Sequence, residues 1–324
     1  MTPTFKLTAD GEDVSATIAD RLLSLEIVDE DGTKSDRLEL QIDDRDSLVA
    51  FPDMDAKIEV WLGFKETELS FMGYYSVDQV GGEGPAQRLE IGCKPADMKS
   101  EIRAPRTRAW ENVSLSQIVA KIAAEADLKP IVSASIASVH WGYIAQTAES
   151  NLHFLTRLAL PLDATAKPAG DALIVQKRGE GKTAAGDALT PPILARSELS
   201  SWRWQLDGRE IYRKIEAEWS ETGKGKRHLI SRGDGKPVKR LRHCHASQAE
   251  AERAADGALS KAARGGMKIS VGIAGFRPSM LAGARVTLSG LRPELNGDWH
   301  LTRVRHRFGG ALITSFEATK GEPE

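Results

Sequence analysis

Cysteine is almost missing from this chain. Among 324 residues only Cys93 and Cys244 occur, which gives no disulfide framework and suits a reducing compartment. No apolar run approaches the ~20 residues that a bilayer-spanning helix needs, so no membrane partner is expected. The opening residues MTPTFKLTADGED lack a basic segment followed by an apolar one. No secretory signal is therefore expected, and synthesis in a cytoplasm is.

Catalytic signatures are missing too. The chain holds no G-x-S-x-G, H-E-x-x-H or Walker-type loop, and the GKGK at Gly223 to Lys226 lacks the Ser/Thr and the strand that a phosphate cradle needs. The one cluster of soft metal ligands is His243, Cys244 and His245. Successive strand residues point to opposite faces, so these three cannot readily share an ion. The acidic run Asp43, Asp44, Asp46, Asp53 and Asp55 lacks EF-hand spacing and reads as a solvated loop. No pair of carboxylates stands out for glycoside cleavage. We expect no enzyme activity, no metal and no cofactor.

What is present is an ordinary soluble composition, 41% hydrophobic and 28% charged, with length enough for two or three domains. The net charge of −2 conceals a polarity. The first sixty residues are acidic, with Glu26, Asp29, Glu30, Asp31, Glu39, Asp43 and Glu59 among them. Past Arg196 the balance turns basic and stays so through Arg285, Arg303, Arg305 and Arg307. Opposite charge at the two ends implies that unlike parts meet, within one chain or between subunits. Two-residue spacing puts Arg303, Arg305 and Arg307 on one strand face, suited to an acidic neighbour or to nucleic acid. Trp202, Trp204 and Trp219 lie among basic residues, yet no nucleic-acid module is visible.

The hydrophobic pattern predicts a β-rich α+β chain. In residues 1–105, alternation marks Leu23, Leu25 and Ile27, then Leu38, Leu40 and Ile42, then Ile58, Val60 and Leu62, then Leu89, Ile91 and Cys93 as inward faces. Five or more short strands at this spacing make a small barrel or sandwich. Residues 106–195 read as a mixed α/β insert. Ser114-x-x-Gln117 is a capping box ahead of Leu115, Ile118, Val119 and Ile122, and a second helix carries Leu152, Leu155 and Leu158 up to Pro161. A strand DALIVQKR and a Gly-rich linker, GEGKTAAGDALTPP, close the insert. Residues 196–324 return to strands. A basic stretch from Gly223 to His243 suits a long exposed hairpin, and Ser247-x-x-Glu250 caps a helix whose stripe is mostly alanine. Gly283, Asn296-Gly297 and Gly309-Gly310 punctuate a closing meander.

These segments together resemble the late control D family, the baseplate hub proteins of contractile-tailed phages and tailocins. The residues that carry the resemblance are DRLLSLEIVDEDGTKSDRLELQIDDRD, FMGYYSVDQV, SLSQIVAKIAAEADL and QTAESNLHFLTRLA. At the C-terminal end it is the pattern G..V.LSG....LNG.W.LTRV.H.F from Gly283 to Phe308. The match runs in order over nearly the whole chain. It implies two tail-tube-like β-barrel domains separated by the insert, and a homotrimer whose six barrels adapt a sixfold tail tube to a threefold central spike. Implied partners are the spike, tail tube and tape-measure proteins, with DNA only in non-specific channel passage. The implied location is the virion tail baseplate, reached from the host cytoplasm. The subunit interface is expected at Glu39, Asp43, Glu59, Arg285, Arg303, Arg305 and Arg307. The alternative from another class is a hub-associated cell-wall hydrolase, and a transcriptional regulator is disfavoured by the absence of a helix-turn-helix signal.

Overall fold

A computed structural model describes residues 1–31, 36–96, 102, 104–169, 172–178, 191–206, 212–221 and 224–320. The strands expected in the first hundred residues form at Leu22–Glu30, Arg37–Asp43, Lys57–Phe64, Ser70–Glu83 and Arg88–Pro95, with Pro3–Ala9 and the short Glu12–Asp13 added. All pair antiparallel, in the spatial order Leu22–Glu30, Arg37–Asp43, Arg88–Pro95, Ser70–Glu83, Lys57–Phe64, Pro3–Ala9, Glu12–Asp13. Their inward faces carry one core that includes Leu25, Ile27, Leu38, Leu40, Val60 and Ile91. Leu23 departs from the expected alternation. A register shift between Leu22 and Ser24 turns its side chain outward, because one extra residue on a strand flips every later side chain.

The last part of the chain supplies Leu199–Leu206, Met267–Ile273, Ala311–Lys320 and Gly297–Gly309 in that spatial order, with Arg285–Ser289 beside Gly297–Gly309 and Ile193–Ala195 beside Arg285–Ser289. The meander forms where glycine permits positive φ, at Gly297 and Gly310. Trp299 is fully buried in this second core, and its Nε1 donates to the Leu295 carbonyl at 2.8 Å.

The two sets of strands are not separate sheets. Gly297–Gly309 pairs antiparallel with Leu22–Glu30 from Arg303 opposite Glu30 to Phe308 opposite Leu25. One 13-stranded sheet therefore crosses both β units. Among the described strands its pairing runs from Leu199–Leu206 at one end to Glu12–Asp13 at the other.

Between them lies the mixed α/β part. Ser114 accepts from Gln117 N while Gln117 caps the Ser114 N–H, opening the helix Leu115–Glu125. Ser150 accepts from His153 N and opens Asn151–Ala159, after which Leu160–Leu162 tightens to a 3₁₀ turn containing Pro161. Both helices pack on a three-stranded sheet of Ala164–Ala169, Ala172–Lys177 and Lys129–Val132. A second pair of strands, Pro105–Ser114 with His140–Ser150, is not marked by alternation, because Trp110 is the only fully covered residue of the first. Of the linker GEGKTAAGDALTPP, residues 179–190 lie outside the described residues.

The basic stretch is not a hairpin. Lys226–Gly233 and Val238–His245 do not pair with each other; Lys214–Glu221 lies between them, antiparallel to the first and parallel to the second. That small sheet needs one covered face, and the helix Gln248–Arg264 covers it with Ala251 and Ala255 against Ile215 and Ala217. Alanine and glycine bring the helix close. At Gly257 an added Cβ would stand 2.3 Å from the Pro161 carbonyl oxygen.

Candidate assembly site

The pairing of Leu22–Glu30 with Gly297–Gly309 brings the acidic and basic ends of the chain together. Along Gly297–Gly309, Val304 and His306 are buried while Arg303, Arg305 and Arg307 emerge on the other face, as two-residue spacing requires. Arg303 donates from Nε to Glu30 at 2.7 Å and from Nη1 to Glu317 at 2.7 Å. Its guanidinium is held above its ordinary pKa, chiefly by the bond to Glu30. Arg305 Nε stands 2.9 Å from Glu26 as an ion pair, without the alignment of a hydrogen bond. Arg307 is exposed, opposite Glu26. Of the two meetings the sequence leaves open, within a chain or between subunits, Arg303 and Arg305 make the first.

A second cluster caps one end of this seam and ties in the insert. Asp31 accepts from Thr165 Oγ1 at 3.0 Å, meets His300 Nε2 at 2.6 Å and lies 3.5 Å from Arg178 Nε. Burial pushes its pKa up, but the His300 bond and the Arg178 charge outweigh burial and hold it below the ordinary value. Asp29 accepts from Lys167 Nζ at 3.2 Å and from the Ala282 N–H at 2.7 Å. Burial works against the Lys167 ammonium, yet Asp29 and Asp36 more than compensate and raise its pKa. Asp36, which accepts from Glu30 N at 2.9 Å, is pushed up to about 6 by burial, with Asp29 adding to the rise against the pull of Lys167. One short acidic segment thus binds the first β unit, the insert and the last β unit. The cleft between Asp31, Thr165, Lys167, Arg178 and Gly283 holds about 40 Å³, far below the ~300 Å³ where ligand pockets begin. Its groups are spent on one another, which makes it a structural junction.

The remaining expected interface residues are dispersed. Glu39 is exposed, opposite Glu26 across the next strand pair, and meets Arg37 at 2.6 Å. Asp43 ends the same strand beside Arg45 at 3.2 Å. Glu59 is half-buried on Lys57–Phe64, three strands further on. Arg285 is half-buried on the far side of Gly297–Gly309, opposite His300. Sequence reasoning missed Lys167, Arg178 and His300. The consecutive Asp29, Glu30 and Asp31 were a visible sign of demand for cations, but the partners stand more than a hundred positions away.

A family model described as the phage tail baseplate hub (GPD) matches residues 39–311. This chain belongs to that family. The matched span of the baseplate hub family includes the insert and the strand Gly297–Gly309 that forms the seam. The probable baseplate hub protein of Escherichia phage P2 is 27% identical over 356 residues, covering 97% of this chain and 92% of that protein. Two solved structures share the fold. The 43 kDa tail protein of prophage MuSo2 from Shewanella oneidensis aligns with a TM-score of 0.73 at 12% identity, covering 98% of each chain. The tail protein from Neisseria meningitidis MC58 aligns at 0.70 and 12% identity, covering 99% of this chain and 97% of that one. A baseplate hub chain belongs to the virion tail and assembles with other tail components.

Proposed function

We propose that this hub chain works as a homotrimer that joins a sixfold tail tube to a threefold central spike. The observation that carries the reading is the sheet shared by two β units across Leu22–Glu30 and Gly297–Gly309. Two strand-rich units fixed side by side in each chain give six around a threefold axis, the number needed to match a sixfold tube. In this reading each unit is a tail-tube-like barrel, the insert stands between them, and the role is structural rather than catalytic. The spike, tube and tape-measure proteins are its partners, and DNA passes through the central channel without sequence-specific contact. The chain is made in the host cytoplasm and ends in the baseplate. Glu39, Asp43, Glu59, Arg285 and Arg307 are candidates for contacts between copies, Glu39 and Asp43 while also meeting Arg37 and Arg45 of their own chain; Arg303 and Arg305 bind carboxylates across the seam within the chain.

Light scattering coupled to size exclusion, with and without the co-expressed spike protein, tests this. A mass of three chains, alone or with the spike, is expected. A single chain in both samples at micromolar concentration overturns it.

A further inference from the structure

Among the exposed apolar surfaces outside the seam, two, one in each β unit, are opposite in charge. The first is the loop of residues 44–56, which joins Arg37–Asp43 to Lys57–Phe64. Leu48, Phe51 and Met54 are 77%, 72% and 59% exposed there. Scattered apolar residues on a surface need no explanation, but three on one short loop do. The loop is also held firmly. Arg21 clamps Asp46 through two hydrogen bonds of 2.7 and 2.6 Å, Val49 N donates to Asp44 at 3.1 Å, Ser47 Oγ donates to Gln87 at 2.8 Å, and Asp55 N donates to the Val77 carbonyl at 2.9 Å. Val49 turns inward against the core. The anchors are therefore displayed by a fixed backbone, with the carboxylates of Asp53 and Asp55 exposed around them.

The second surface is Leu199–Leu206, the end strand of the sheet. Every residue from Ser200 to Leu206 is exposed. Trp202, Trp204 and Leu206 share one face by two-residue alternation. Arginines border it: Arg196 lies over the Trp202 ring at 5.5 Å and Arg292 over the Trp204 ring at 5.3 Å. Arg292 also pairs with Glu294 at 2.9 Å, while Arg203, between the two tryptophans in sequence, is exposed on the opposite face. An open edge strand is a template for pairing, and stable monomers blunt such edges with proline, bulges or cover. A register shift between Leu199 and Ser201 disturbs only the start of this strand, and among the described residues no strand pairs with its outer edge from Trp202 to Leu206.

We infer that these surfaces are two halves of one contact, with the loop 44–56 of one copy seated on the Trp202, Trp204 and Leu206 face of the next. The occupant is a second copy of this chain because the chain itself carries the complement of each surface: apolar anchors among carboxylates, and an aromatic strip among guanidinium groups. Exposure of both within one chain leaves each to be covered by a neighbour. Such a contact is heterologous, and repeated around an axis it closes a ring. This inference rests on the trimeric reading above and specifies where its copies touch.

The test uses the full chain, co-expressed with the spike protein if assembly requires it. Phe51→Asp and Trp204→Asp each change an exposed side chain, and an unchanged far-ultraviolet circular dichroism spectrum confirms folding. Each is expected to weaken assembly at least tenfold by light scattering. In a Cys244→Ser background, Phe51→Cys chains are mixed with Trp204→Cys chains and treated with a short bis-maleimide. The mixture is expected to give covalent dimers and neither variant alone to do so. Retention of wild-type mass and affinity by both Asp variants, or cross-linking of Phe51→Cys chains to themselves, overturns this contact while leaving the trimer intact. A wild-type chain that is monomeric under both conditions overturns the contact and the trimeric reading together.

Discussion

Asp36 shows how the junction trades stability for connection. Its carboxyl is buried beside Asp29, and its pKa stands near 6, against about 3.9 in an unfolded chain. The folded state therefore holds this proton more tightly. The contribution of Asp36 is fully favourable below pH ~4 and is lost as the pH rises through about 6. Asp36→Asn keeps an acceptor for the Glu30 N–H and removes the charge. It should raise the unfolding free energy at pH 8 by about 1–3 kcal/mol and leave it nearly unchanged at pH 4. Urea titrations at the two pH values check this, and an equal effect at both would show that the buried charge costs nothing. The acidity of this segment was legible in the sequence. Its partners were not, because Lys167 and His300 approach only through tertiary folding.

Among the elements, the helix Gln248–Arg264 offers the sharpest contradiction between local preference and packing. Glycine in a helix interior is less favourable than alanine by about 1 kcal/mol, so propensity alone predicts that Gly257→Ala stabilises. Contact with the turn Leu160–Leu162 reverses the sign, since the new Cβ would meet the Pro161 carbonyl oxygen at 2.3 Å and backbone cannot swing away. We expect a loss of about 1–3 kcal/mol, read as a lower midpoint in thermal or urea unfolding; a higher midpoint would show that the helix can back off. The small-residue stripe predicted a close approach, and local patterns likewise gave the capping box at Ser114 and most strands of both β units. Patterns failed where pairing is not local. Strand order among Lys214–Glu221, Lys226–Gly233 and Val238–His245 comes from Val238–His245 pairing in parallel with Lys214–Glu221 rather than with its neighbour in sequence, and the register shift at Leu22 depends on the partner strand.

For the whole molecule, the controlling feature is the seam between Leu22–Glu30 and Gly297–Gly309. Through it, two hydrophobic cores share one hydrogen-bonded sheet, and Leu312, Phe276 and Phe308 of the last unit pack into the core of the first. Glu30 is nearly buried and depends on Arg303 at 2.7 Å, with Arg37 more distant at 3.9 Å. Arg303→Glu would place like charges in this partly buried pair, at a cost of about 1–3 kcal/mol for leaving the Glu30 carboxylate without its near cation. Scanning calorimetry should then resolve two transitions where the parent chain gives one. A single, merely lower transition would mean that Leu312, Phe276 and Phe308, which pack into the first core, keep the two units coupled without the ion pair. The charge polarity, which the sequence left open to meetings within a chain or between copies, is in part consumed here within the chain. Contacts between copies must then draw on what remains exposed.

The same seam sets an order on biosynthesis. Its first strand is complete by Glu30, but its neighbour ends at Gly309. On the ribosome, therefore, one flank of Leu22–Glu30 stays unzipped until Gly309 has emerged. That bare flank is the place where a chaperone, or a neighbouring nascent chain, has longest to bind.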